Sequence, residues 1–271
     1  MRGLSRRTFL RGAALTLAGG ATGAVGAVQV PRWCGWDQPP ISGGYASADD
    51  NQNVISKPAV TVHYHVDTTD RVVALTFDDG PAPQWTPMFL DALEAAGVPG
   101  TFFMVGQQVE RHWRLVHNRL AGHEVGNHSW AHRDLATMDY AAVRADLSRT
   151  AATIADRLGH PPKYFRPPYG HVGGSTLLAA DSLGYDVMLW NCAMHELQFH
   201  DDPSAQADDL VRTVRPGSII LAHDSGDNRR LVGLHSLPAM VAGLKAKGYR
   251  FTTLSGLLAA TGQPDRDASV R

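Results

Sequence analysis

Two carboxylates stand on consecutive residues in the run Thr76-Phe77-Asp78-Asp79-Gly80-Pro81. They end an apolar, strand-like stretch from Val72 to Phe77, and the Gly-Pro pair behind them predicts an immediate turn. In parallel α/β sheets, strand ends of this kind carry the chemistry. Neighbouring anions repel unless a cation takes up the charge. One reading therefore has a metal ion on one carboxylate and a base role for the other; a solvated Asp-Asp turn is the alternative. A second group lies in His123-Glu124-Val125-Gly126-Asn127-His128-Ser129-Trp130-Ala131-His132. On a helical turn, His128 and His132 would share one face and both reach a Zn²⁺-like ion. Asp79 as third ligand would leave the open position that a catalytic site needs for water. The chain has 13 histidines, so a pair of surface or capping histidines is the plainer alternative.

Two further segments, Phe165-Arg166-Pro167-Pro168-Tyr169-Gly170 and Leu221-Ala222-His223-Asp224, follow in order. With T-F-D-D-G-P and H-S-W-A-H they resemble the motifs of the polysaccharide deacetylases, the fourth family of carbohydrate esterases, over roughly residues 69 to 262. The resemblance implies that Asp78 is the general base and that Asp79, His128 and His132 hold one divalent ion, zinc first and cobalt or another ion as the alternative. It implies that Arg166 pairs with Asp78, which would keep that carboxylate ionised and oriented. It makes the Tyr169 N–H the oxyanion donor, and Pro167 and Pro168 have no N–H to offer in its place. His223 corresponds to the general acid, a role that suits a group titrating near neutrality, and Leu221 to a wall of the acetyl pocket. One motif departs from the family pattern. Where Trp-Asp and then Asp-Trp are common, this chain reads Trp190-Asn191-Cys192-Ala193-Met194-His195-Glu196-Leu197. Glu196 then falls where an aspartate would tune the acid histidine, and Leu197 replaces a tryptophan wall of the substrate pocket. Retained chemistry with altered substrate preference is the expectation.

These residues need a scaffold. Strand-like runs at Val72 to Phe77, Thr101 to Val105, Glu124 to Asn127, Tyr164 to Arg166, Asp186 to Asn191, Ser218 to Ala222 and Arg250 to Thr253 alternate with helical patterns. The clearest of those patterns are Pro87 to Ala96, Tyr140 to Leu158 and Leu231 to Lys247. About seven β/α units predict an α/β fold, a distorted or incomplete (β/α) barrel, which is also the fold the resemblance implies. A hydrophobic share of 44% suffices for one core.

Residues 1–29 read as a twin-arginine export signal, with Ser5-Arg6-Arg7-Thr8-Phe9-Leu10 ahead of an uncharged Ala- and Gly-rich stretch. Residues 30–68 read as an extended linker with a short edge strand around His63-Tyr64-His65, whose histidines are expected to face solvent. Residues 69–262 form the catalytic domain, and 263–271 a frayed tail. Cys34 and Cys192, the only two cysteines, form either one disulfide or two free thiols. A net charge of −1 argues against a nucleic-acid partner and suits a neutral glycan. Trp85, Trp130 and Tyr169 either face sugar rings or pack. The expected protein is an exported, monomeric, metal-dependent hydrolase, secreted or wall-associated, that removes N-acetyl or O-acetyl groups from a polysaccharide or oligosaccharide such as chitin or peptidoglycan. A catalytically weak glycan-binding protein and an amidohydrolase for a small non-sugar amide are the rival readings.

Overall fold

The computed structural model describes residues 59–260. The export segment, most of the linker, Cys34 and the C-terminal tail lie outside the described residues. Nine strands form one sheet: β1 (Val62–His63), β2 (Val72–Asp78), β3 (Thr101–Met104), β4 (Glu124–Asn127), β5 (Tyr164–Phe165), β6 (Asp186–Met188), β7 (Cys192–Ala193), β8 (Ile219–His223) and β9 (Arg250–Thr252). The order is β1-β6-β5-β4-β3-β2-β8-β7, with β9 paired to the first half of β2 and every strand pair parallel. β1 and β7 end this path without pairing to each other, so the expected incomplete barrel is what forms. A single antiparallel bridge, His65 to Ser218, links the segment after β1 to the base of β8.

Helices α1 (Trp85–Ala96), α2 (Gly106–His112), α3 (Tyr140–Leu158), α4 (Gly174–Ser182), α5 (Pro203–Thr213), α6 (Val232–Ala246) and α7 (Leu254–Ala259) fill the connections. None of them is long and apolar enough to cross a membrane. The longest, α3, has the bounds its periodicity predicts. Asp139 caps it by accepting from the Ala142 N–H at 2.7 Å, and Gly159 ends it in the left-handed region.

Strand periodicity divides the core. Along β2, Val73, Leu75 and Phe77 pack with Phe89, Leu93 and Leu237 on the helix side. Val72 and Ala74 face the barrel interior with Phe103, Tyr164, Met188 and Ile219, and Leu254 and Leu257 of α7 join that cluster. Period two therefore turns Thr76 and Asp78 inward as well. Across the sheet, His223, Asp78, Phe103 and Gly126 stand in one register row.

The strand expected over Asp186 to Asn191 stops at Met188. The carbonyls of Met188 and Leu189 instead accept from the Arg166 side chain, at 2.8 and 3.1 Å, and that inward pull ends the ladder. Cys192 is a buried free thiol whose pKa burial pushes up.

Gly126 is required by close approach: a Cβ there would lie 2.4 Å from Cδ1 of Phe103, whose ring carries the Arg166 guanidinium 4.1 Å from its centre. Gly126→Ala is expected to destabilise the fold by about 1–3 kcal/mol through overpacking. Urea denaturation measures this, and a loss below about 0.5 kcal/mol would mean the ring yields freely.

Candidate active site

At the C-terminal mouth of the barrel, β2 delivers Asp78 inward. The next residue, Asp79, adopts a left-handed φ of 81° ahead of a cis Gly80–Pro81 bond. The two adjacent carboxylates thereby point to different partners. Asp78 is buried, and its Oδ1 accepts from Nη1 of Arg166 at 2.7 Å. Arg166 follows β5 and is fully buried. The same Nη1 donates to Thr76 Oγ1 at 2.8 Å, and the remaining nitrogens serve the Met188 and Leu189 carbonyls. Burial lowers the guanidinium pKa, and Asp78 opposes that shift.

The segment after β4 is not the helical turn expected from the histidine spacing. It is a loop with left-handed residues at Ser129 (φ 66°) and His132 (φ 53°), and those two reversals bring the imidazoles together. Several bonds fix this loop from outside. The Ser129 N–H donates to Asn127 Oδ1 at 3.0 Å, the His132 N–H to Ser129 Oγ at 3.0 Å, and the Trp130 N–H to the buried Asp146 of α3 at 2.6 Å. The first N–H groups of α2, on Gly106 and Gln107, donate to the Ser129 and Trp130 carbonyls. Trp130 is therefore packing material, buried beneath Arg149 at 3.5 Å, and does not face the mouth.

Asp79, His128 and His132 are the only cluster of three metal-capable side chains among the described residues, with ligand atoms within 4.8 Å of one another. Nε2 of His132 lies 3.0 Å and Nε2 of His128 3.4 Å from Asp79 Oδ1. Although 3.0 Å is a hydrogen-bonding distance, this buried oxygen accepts no hydrogen bond. Nδ1 of His128 lies 2.8 Å from the Arg166 carbonyl. A carbonyl only accepts, so Nδ1 carries the hydrogen and the neutral ring turns its Nε2 lone pair toward Asp79. Tetrahedral ligands about 2.0–2.1 Å from a zinc-like ion stand roughly 3.3–3.4 Å apart, close to these spacings. The donor set and the unsatisfied oxygen both fit a divalent ion. The electrostatics agree. Burial opposes ionisation of Asp79, but His128 and His132 outweigh it and hold the carboxyl well below its usual range. Burial likewise opposes a charge on His128, and Asp78 and Asp79 overcome it, raising its proton affinity. The cluster favours positive charge.

His223 stands beside Asp78 in register. Its Nδ1 bonds Glu196 Oε1 at 2.9 Å, so Nε2 is the atom left for the mouth. Burial lowers the His223 pKa, yet Glu196 and then Asp78 more than compensate, against a smaller opposing effect of Arg230, and the net shift is upward. The His223–Glu196 pair therefore stabilises the fold most below the ordinary histidine value of 6.5, and that contribution is lost as pH rises through the folded-state value. Leu221 is buried on the same strand face as His223, Trp190 is half-buried with the Arg166 guanidinium 5.7 Å from its ring, and Leu197 is exposed.

Tyr169 has a left-handed φ of 61°, and its ring meets His132 edge-on at 4.8 Å. The turn around it is closed by Gly170 N–H to the Pro167 carbonyl and His171 N–H to the Pro168 carbonyl, neither of which consumes the Tyr169 N–H. His195 is exposed. His63 sits 3.8 Å from Asp186 and His65 bonds the Pro216 carbonyl; neither joins a ligand cluster.

Sequence reasoning missed two participants. Arg230 bonds Asp79 Oδ2 at 3.1 Å, and no spacing rule connects its loop to β2. The second is Asp224, the last residue of the Leu221-Ala222-His223-Asp224 motif. It is fully enclosed behind the Asp79 turn, its Oδ2 accepts from Thr86 Oγ1, and burial raises its pKa to about 7, a shift the nearby Asp79 enhances.

The sequence profile described as polysaccharide deacetylase matches residues 65–188. A peptidoglycan-N-acetylglucosamine deacetylase of Bacillus cereus is 32% identical over 211 residues, 74% of this chain and 95% of the relative. A crystal structure of a peptidoglycan N-acetylglucosamine deacetylase bound to a hydroxamate-type benzamide superposes with a TM-score of 0.71 at 28% identity, over 76% of this chain and 96% of that one. A family 4 acetyl xylan esterase from Clostridium thermocellum, in complex with a cobalt ion, gives a TM-score of 0.67 at 32% identity, over 74% and 96%.

Removing Arg166 strands a buried anion. Arg166→Met is expected to cost about 3–5 kcal/mol of stability. Pairing it with Asp78→Leu should recover much of that loss in urea denaturation; a double variant no better than the single would show that the pair is not the source.

Proposed function

The chain belongs to the polysaccharide deacetylase family and is a polysaccharide deacetylase; we propose that it hydrolyses N-acetyl groups of a cell-wall glycan with Asp78 as base, His223 as acid and a divalent ion on Asp79, His128 and His132. The observation that carries this reading is the buried, unsatisfied Oδ1 of Asp79 facing two imidazole Nε2 atoms, one residue from a carboxylate whose Oδ1 is bound by Arg166. When bound, the ion supplies Lewis acidity that polarises the acetamide carbonyl and acidifies a water.

The chain's own groups do the rest. Asp78, oriented by its hydrogen bond from Arg166, takes a proton from the attacking water. The Tyr169 N–H donates to the oxygen on which charge develops, and the turn's own hydrogen bonds do not compete for it. His223 gives a proton to the departing amine nitrogen as the C–N bond breaks, releasing acetate and a free amine. Glu196 holds the His223 ring with Nδ1 occupied, so the proton is delivered from Nε2. Leu221 lines the acetyl pocket beside Trp190. With Leu197 exposed in that place, no indole offers a sugar-stacking face there, and Tyr169, 61% exposed, is an aromatic surface open to a sugar ring. Zinc is the ion first expected, with cobalt able to replace it. The relatives' wall substrates and the pattern of residues 1–29 support export by the twin-arginine route.

Acetate release from acetylated chitin oligomers and peptidoglycan fragments, after stripping the metal and restoring Zn²⁺ or Co²⁺, tests the function; no release from any acetylated glycan by the reloaded protein refutes it. Asp78→Asn should keep its metal while turnover falls by roughly 10²–10⁴-fold, whereas loss of the metal would exchange the roles of Asp78 and Asp79. Glu196→Gln should move the alkaline limb of the kcat/KM profile to lower pH, since the carboxylate that raises the His223 pKa is gone; an unmoved limb removes His223 from the acid role.

A further inference from the structure

We propose that Arg230 is a positioning residue of the metal cluster, holding Asp79 by one carboxylate oxygen so that only the other is presented to the cation. This rests on reading Asp79, His128 and His132 as the ligands. The two oxygens of Asp79 are employed differently: Oδ2 accepts from Arg230 Nη1 at 3.1 Å, while Oδ1 accepts no hydrogen bond and faces both imidazoles. A carboxylate tied at one oxygen is hindered from swinging to chelate with both, and its free lone pairs are aimed in advance.

The loop after β8 is shaped for this reach. Asp227 accepts from the Arg229 N–H, and its carbonyl accepts from the Arg230 N–H at 2.8 Å, forming the short turn Asn228–Leu231. The Arg230 side chain then passes back over Gly226, whose φ of 115° disfavours any other residue. A Cβ there would stand 3.3 Å from Nη1 and 3.4 Å from Cδ of Arg230. The adjacent Arg229 is used otherwise: its guanidinium is spent on Asp227 in the same turn, and its side chain is 58% exposed against 26% for Arg230. Of the two arginines, only Arg230 turns to the site.

A guanidinium also repels a divalent ion, so two effects of opposite sign must be weighed. The repulsion acts through space at a partly solvated rim and is screened, whereas the hydrogen bond acts on the ligand itself. Outer partners of metal ligands are typically worth about 10–100-fold in affinity, and the bond wins.

In the full chain, Arg230→Met and Arg230→Lys would be stripped with chelator and titrated with Zn²⁺ against a chromophoric competitor, with Co²⁺ absorption reporting the ligand field and melting of the metal-free protein followed separately. Arg230→Met should bind about 10–100-fold more weakly, Arg230→Lys should recover part of that loss, and the metal-free melting temperature should not move. Unchanged or tighter binding by Arg230→Met, or weakening that appears only with a lowered metal-free melting temperature, overturns the proposal. Asp79→Ala separates the two layers: if it binds Zn²⁺ as the unaltered chain does, the ligand reading itself fails, whatever Arg230 does.

Discussion

The buried pair of Arg166 and Asp78 is the constraint on which the rest of the mouth depends. A guanidinium with no solvent contact is tolerable only when its charge and donors are satisfied, because desolvation otherwise costs several kcal/mol. Here Asp78 supplies the charge, and Thr76 and the Met188 and Leu189 carbonyls take the remaining donors. Those partners come from β2 and from the end of β6, while Arg166 itself follows β5. One side chain therefore ties β2 to β5 and β6, from which β3 and β4 separate it in the sheet. Its own carbonyl also sets the tautomer of His128, so the charge pair and the metal-capable cluster share a single residue.

Backbone strain gathers around the same place. Six non-glycine residues among those described have positive φ, and Asp79, Ser129, His132 and Tyr169 are four of them. Such conformations cost of order 1–3 kcal/mol each and persist only where surrounding bonds over-determine them. The supports are visible: α2 donates into the histidine loop, Asp146 of α3 holds Trp130, and the turn after Pro168 is closed on both sides of Tyr169. The helices pay, in this sense, for the mouth's geometry by packing against the sheet at their other faces.

Much of the architecture was legible because it rests on periodicity. The apolar run from Val72 to Phe77 marks β2 without showing which face is which, and the period of Tyr140 to Leu158 fixes α3 to the residue. The failures have physical causes. A His-x-x-x-His spacing looks helical in one dimension, but neither Ser129 nor His132 advertises a left-handed φ. The strand drawn to Asn191 overran because the pull of Arg166 on the Met188 and Leu189 carbonyls comes from a segment more than twenty residues away. Of the two roles open to Trp130, packing is the one taken, because Arg149 and α2 cover its ring.

The sequence by itself determined which residues can do chemistry and in what order they arrive: two carboxylates, two imidazoles, an arginine before paired prolines, and a histidine at a strand end. Side-chain type sets what a group can donate, accept or bind, and that needs no coordinates. Only the tertiary structure decided how those groups divide the work. Register sets His223 beside Asp78, and Arg230 crosses Gly226 to take the second oxygen of Asp79. These are long-range contacts of single atoms, set by where the folded sheet brings distant loops, and no local pattern along the chain encodes them.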